Sequence, residues 1–148
     1  MIRYFARLGY WRGGLIAIAL SLSILVYAVG VGSEPSATVG AQILMAQIEA
    51  NNAPLILDVR SPAEFAGGHI PGAVNIPYRA LPEGLVALSM QPGQAVVVYC
   101  ERGVRAAIAE NSLKAAGIDN IVHLSGDMVG WRKSGLPIEI PEAVPTEP

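Results

Sequence analysis

From residue 39 to residue 138 the chain alternates short apolar runs with stretches of helical spacing. Ala95-Val-Val-Val-Tyr99 is continuous and rich in β-branched residues, the pattern of a strand buried on both faces. Leu55-Ile-Leu-Asp-Val59 reads the same way, and Ala73 to Ile76 and Ile121-Val-His-Leu124 are shorter strands. Val39 to Ala50 carries Ile43, Leu44 and Ile48 on one side and Gln42, Gln47 and Glu49 on the other, so a helix is predicted there, ended by Asn51-Asn-Ala-Pro54. Ser61 as N-cap, Pro62 at the first helical position and Glu64 at the third predict a short helix opened by a capping box. Leu81 to Leu88 is weakly helical. After Cys100, the residues Val104, Ala107, Ile108 and Ala115 recur at helical spacing up to Gly117, with Glu110 and Lys114 as an i,i+4 pair. Asp127 to Lys133 is a last short helix carrying Trp131. Strands alternating with helices predict an α/β domain with a parallel sheet, its strand order left open by the pattern.

The N-terminal pattern is different. No charge falls between Gly13 and Ser33, and Leu15 to Val31 is almost wholly apolar, with Arg3, Arg7 and Arg12 before it. About 20 residues at ~1.5 Å each span the ~30 Å hydrocarbon core of a bilayer. Tyr4, Tyr10 and Trp11 stand where a membrane–water interface holds aromatics. An uncleaved anchor is the favoured reading, because the run exceeds the ~7–15 residues of a signal-peptide core. A cleaved signal peptide is the alternative, with Ala28 and Gly30 as the small residues of its cleavage site. Either reading leaves the arginines in the cytoplasm and puts the domain on the extracytoplasmic (periplasmic) side. The expected organisation is a basic N-terminus at 1–12, an apolar helix at 13–33, a polar linker at 34–38, one domain at 39–138 and a fraying proline-rich tail at 139–148.

Charge follows the same division. All twelve acidic residues lie from Glu34 onward against seven basic ones, a formal charge of −5 for that portion. It carries no basic stripe of the kind nucleic acid requires. The 148 residues hold one cysteine, so no internal disulfide forms and the compartment must be inferred from targeting. Cys100, His69 and His123 are too far apart in sequence to mark a metal site, and none is expected.

Cys100 closes a buried strand and precedes a helix N-terminus, where unpaired N–H groups and the helix dipole favour negative charge. A lone cysteine is most often a small buried hydrophobe. This placement instead suits a nucleophile, whose reactive form is the thiolate. Gly103 lets the following loop curl, and Arg102 and Arg105 add positive charge.

Three segments then point to one family. Cys100-Glu-Arg-Gly-Val-Arg105 resembles the Cys-x-x-Gly-x-Arg active-site loop of the rhodanese family. Asp58-Val-Arg-Ser-Pro-Ala-Glu-Phe-Ala-Gly-Gly-His-Ile-Pro-Gly-Ala-Val-Asn-Ile-Pro77 and Leu124-Ser-Gly-Asp-Met-Val-Gly-Trp131 with Gly135-Leu-Pro137 are similar to its other two signatures, in the same order. The resemblance covers about residues 38 to 138. It implies a single domain with a parallel five-stranded sheet and helices on both faces, preceded here by the N-terminal apolar helix. It also implies sulfur transfer from an anionic donor or a persulfide to a thiol or cyanide through a persulfide on Cys100, without a cofactor. Glu101, Arg102, Gly103, Val104 and Arg105 would form the substrate-binding loop. Asp58 and Arg60, at a strand end nearby, are expected as a supporting pair held together structurally. Glu64 and His69 are expected to fix the loop into Pro71-Gly72, Trp131 to pack, and His123 to be a core or surface residue.

Two departures from the pattern stand out. Asp127 replaces the second glycine of the closing signature, and Glu101 brings a negative charge to a loop meant for an anion. A phosphatase, whose Cys-x5-Arg loop is one residue longer, would need arginine where Ala106 stands. A membrane-tethered binding module with little activity remains the second reading. The protein partner of such a module is not indicated.

Overall fold

The structure is a computed structural model and describes residues 36–85, 88, 90, 91 and 93–141. The apolar segment at 13–33 and the last seven residues of the tail lie outside the described residues. Among the described residues no helix is long and apolar enough to cross a membrane.

The described part folds as strands β1 (Ala37–Val39), β2 (Leu55–Asp58), β3 (Val74–Asn75), β4 (Val96–Tyr99) and β5 (Ile121–Leu124). The helices are α1 (Ala41–Glu49), α2 (Pro62–Ala66), α3 (Leu81–Gly84), α4 (Val104–Ala115) and α5 (Asp127–Lys133), with a 3-10 turn at Tyr78–Ala80. All strands run parallel in one five-stranded sheet of order β1-β5-β4-β2-β3. The central strand is β4, and all four of its residues are buried.

Alternation along β4 divides the interior into two cores. Val96, Val98 and Cys100 point to one face and pack with Leu57, Val59 and the α4 residues Ala106, Ala109 and Leu113. Val97 and Tyr99 point to the other face and join Leu44 of α1 with Met128 and Trp131 of α5. The period of two along a strand places side chains on opposite faces, so helices cover both sides of the sheet. Trp131 fills the second core and donates its indole N–H to the Pro137 carbonyl at 2.8 Å.

Two boundaries differ from the sequence expectation. The linker expected through residue 38 gives way at Ala37 to β1, which pairs with β5, and α1 begins only at Ala41. Ala37 and Thr38 are exposed, so no apolar alternation marks this edge strand. At the other end, the tail expected to fray from residue 139 starts tied down. Glu139 and His69 exchange backbone hydrogen bonds at 2.8 and 2.9 Å, and the Glu139 carboxylate accepts the Gly72 N–H at 3.1 Å. Among the described residues of the weakly helical stretch at 81–88, one turn of α-helix is formed, α3.

Candidate active site

Strand β4 delivers Cys100 at its carboxyl end, 1% exposed, with its side chain on the α4 side of the sheet. The chain then curls through Glu101, Arg102 and Gly103 into α4. Gly103 has φ = +92°, a conformation that L side chains rarely adopt. A Cβ there would also lie 3.1 Å from Asp127 Oδ2. Only glycine fits both demands. The curl turns the Gly103 N–H back onto Cys100 Sγ at 3.1 Å.

Arg105, in the first turn of α4, reaches back across the loop. Nη1 and Nη2 each donate to a different oxygen of Glu64 at 2.7 Å. Glu64 also caps α2, accepting from the Ser61 N–H and hydroxyl while its own N–H donates to Ser61 Oγ. The hydrogen bonds from Arg105, with those from Ser61, outweigh desolvation and hold the Glu64 carboxyl at about 2. The Arg105 guanidinium is pushed above its ordinary value, first by Glu64 and then by Cys100, which lies within its electrostatic reach. The arginine expected to bind substrate is therefore oriented by a carboxylate from a different helix.

The charge of Glu101 is met from two sides. Arg132 of α5 donates to Oε1 at 2.7 Å, and Arg60 Nη1 lies 3.5 Å from Oε2. Arg102, expected to add positive charge to the loop, is exposed and makes no ion pair among the described residues. Arg60 is itself bound to Asp58, through Nε to both carboxylate oxygens at 3.0 Å and through Nη2 to Oδ2 at 2.6 Å. Both residues are fully buried, and Arg60 also holds the Gly68 carbonyl at 2.9 Å. Burial works against the Arg60 charge, but Asp58, Tyr99 and Glu101 together hold the guanidinium above its ordinary value. Val104 sits at the mouth of the loop, 73% exposed. His69 stacks on Phe65 and its Nδ1 lies 3.1 Å from the Phe65 carbonyl, which steadies the turn before Pro71.

Sequence reasoning missed the residues beneath the loop. Asp127 Oδ1 accepts the Cys100 N–H at 2.8 Å, and the next N–H, of Met128, donates to the Cys100 carbonyl at 3.0 Å. Asp127 Oδ2 lies 3.1 Å from His123 Nε2, and His123 Nδ1 bonds Glu110 Oε1. Glu110 is thus not an ordinary surface partner of the helix: it is 8% exposed and faces the sheet. The hydrogen bond with Asp127, then that with Glu110, overcomes desolvation and pushes His123 up to about 9. At neutral pH the imidazolium is therefore sandwiched between two carboxylates. The sequence signals were one of the two departures, the aspartate at 127 where the family pattern has glycine, and a histidine in a short strand.

A sequence model of the Rhodanese-like domain family matches residues 40–134. A protein of Allochromatium vinosum named sulfurtransferase is 37% identical over 89 residues, covering 60% of this chain and 80% of that one. Thiosulfate sulfurtransferase 16, chloroplastic, of Arabidopsis thaliana is 36% identical over 91 residues, covering 55% and 76%. An uncharacterised Synechocystis protein is 35% identical over 91 residues, covering 62% of this chain, and the match spans half of that protein's length. Among solved structures, a rhodanese-related protein of Thermoplasma volcanium superposes with a TM-score of 0.61 at 30% identity, covering 71% of this chain and 99% of the other.

Proposed function

The chain belongs to the rhodanese-like domain family, and from that premise we propose that it is a sulfurtransferase, anchored in or exported across a membrane, that works through a persulfide on Cys100. The observation that carries the reading is the contact between the Gly103 N–H and Cys100 Sγ at a strand end, with Arg105 beside it.

In the first step the Cys100 thiolate attacks the outer sulfur of thiosulfate or a persulfide. A sulfur–sulfur bond forms to Cys100, the bond within the donor breaks, and sulfite or a thiolate leaves with the electron pair. The terminal sulfur of the new persulfide carries negative charge, which backbone N–H donors of the loop and the nearby guanidinium favour. In the second step a thiolate or cyanide attacks that terminal sulfur, and Cys100 leaves as thiolate. Atoms and charge balance with no cofactor, and double displacement predicts ping-pong kinetics. The membrane part rests on the sequence alone: the uncharged apolar run at 13–33 behind Arg3, Arg7 and Arg12.

Intact-mass measurement of the full chain after exposure to thiosulfate tests the reaction. One added sulfur atom, discharged by cyanide and absent from Cys100→Ser, is expected. Folded protein that gains no sulfur from either donor class would leave the tethered binding module as the better reading.

A further inference from the structure

The peptide of Cys100 is gripped from α5 on both sides. Its N–H goes to the Asp127 side chain and its carbonyl receives the Met128 N–H. Asp127 does this from φ = +53°, a left-handed backbone that costs a non-glycine residue stability. Glycine would sit there without strain, yet would offer the Cys100 N–H nothing. Asp127 is also 3% exposed and turned by His123, which Glu110 holds from α4. A strained residue with a fully partnered buried carboxylate, directly behind the nucleophile, is poorly explained by stability.

We propose that Asp127, backed by His123 and Glu110, is a positioning residue for Cys100: it pins the cysteine's peptide so that Sγ stays under the Gly103 N–H during attack. The carboxylate takes up the Cys100 N–H, which would otherwise compete for the sulfur or for solvent. It also abuts Gly103 from below, so the depth of the loop is set by the same side chain. His123 keeps Asp127 from swinging away and counters its charge, which would otherwise oppose an anion above. The three residues come from α5, β5 and α4, so they lock the loop to the scaffold on which both its ends rest.

Asp127→Gly and Asp127→Asn in the full chain test this. Asparagine keeps an oxygen for the Cys100 N–H, and its Nδ2 can donate to a neutral His123 whose Nδ1–H serves Glu110. The rate constant for persulfide formation in a single turnover, which does not depend on the fraction of active protein, is expected to fall about tenfold or more in Asp127→Gly and to stay within roughly threefold in Asp127→Asn. Thermal melts check that both variants are folded at the assay temperature, since Asp127→Gly relieves backbone strain but loses hydrogen bonds to Cys100 and His123. A wild-type rate constant in Asp127→Gly, or an equal loss in both variants, overturns the proposal.

The kinetic arm rests on the sulfurtransferase reading, so alkylation of Cys100 by iodoacetamide is measured alongside. A loosened loop exposes the buried sulfur, and several-fold faster alkylation is expected in Asp127→Gly only. If the wild type accepts no sulfur, the sulfurtransferase reading fails while this arm still decides the positioning role. Equal alkylation rates in all three proteins would sink it.

Discussion

Arg105 and Glu64, 41 positions apart in sequence, meet through two parallel hydrogen bonds of 2.7 Å. Such a fork-to-fork pair fixes orientation as well as distance. It also spends much of the guanidinium's charge on a partner other than substrate. Glu64→Gln keeps the capping of α2 but removes that competing charge. The KM for thiosulfate is expected to fall several-fold, at the expense of a lower melting temperature. Initial rates and thermal melts of the same preparation measure both, and a higher KM would mean that the orientation Glu64 gives Arg105 outweighs the charge it takes up.

Cys100→Ser is expected to abolish transfer of sulfur from thiosulfate to cyanide and to leave the fold intact, because the chain has no second thiol. Residual turnover above a few per cent in folded protein would contradict the covalent route.

Glu101 is screened by Arg132, which changes what its removal does. Glu101→Gln both deletes a negative charge and releases the guanidinium of Arg132. One unit charge at ~7 Å in water is worth ~0.6 kcal/mol, and about twice that against a dianion. The kcat/KM for thiosulfate should therefore rise several-fold at low salt, and Arg132→Ala should lower it. Both effects should shrink as salt shortens the screening length. Rates across ionic strength with thiosulfate and a less charged persulfide check this, and equal changes for both donors would contradict it.

His123 ties stability to alkaline pH. Its folded value of about 9 lies above the ordinary ~6.5 of an unfolded histidine. The stabilisation it supplies is complete below the unfolded value and is lost as pH rises through the folded one. Against His123→Gln, the wild type should melt higher near neutrality, with the gap closing by about pH 10. A gap independent of pH would mean that the imidazolium is not the stabilising form.

Asp58→Asn leaves the Arg60 guanidinium buried beside a neutral amide. Breaking a buried pair from one side costs about 3–5 kcal/mol. The Gly68 carbonyl and Glu101 still face Arg60, so the low end is expected, as read from urea unfolding.

Four of the strands, the place of Cys100 at a strand end and the capping box of α2 were legible because each is a local pattern: β-branched runs, a cysteine closing one of them, Ser61 three residues before Glu64. Strand β1 was not, since two of its three residues face solvent and its hydrogen bonds lie with β5. The partner of Arg105 and the Glu110–His123–Asp127 chain were hidden for a related reason. Each joins residues on separate elements, and a single sequence carries no sign of which helix crosses which strand end. In the sequence Glu110 showed only as the i,i+4 partner of Lys114, whereas the sheet beneath α4 offers it a histidine.

The sheet order has a consequence for how the protein is made. Strand β1 has one partner, β5, so residues 37–39 find no place in the sheet until residues 121–124 have been synthesised. Closing a loop of that length is entropically slow and sits late in assembly. Strands β2, β3 and β4 can pair earlier, but Asp127, which reaches the Cys100 peptide, emerges from the ribosome later still. A nascent domain with this connectivity stays unfinished until β5 and α5 exist, and the Cys100 peptide is not pinned in place before then.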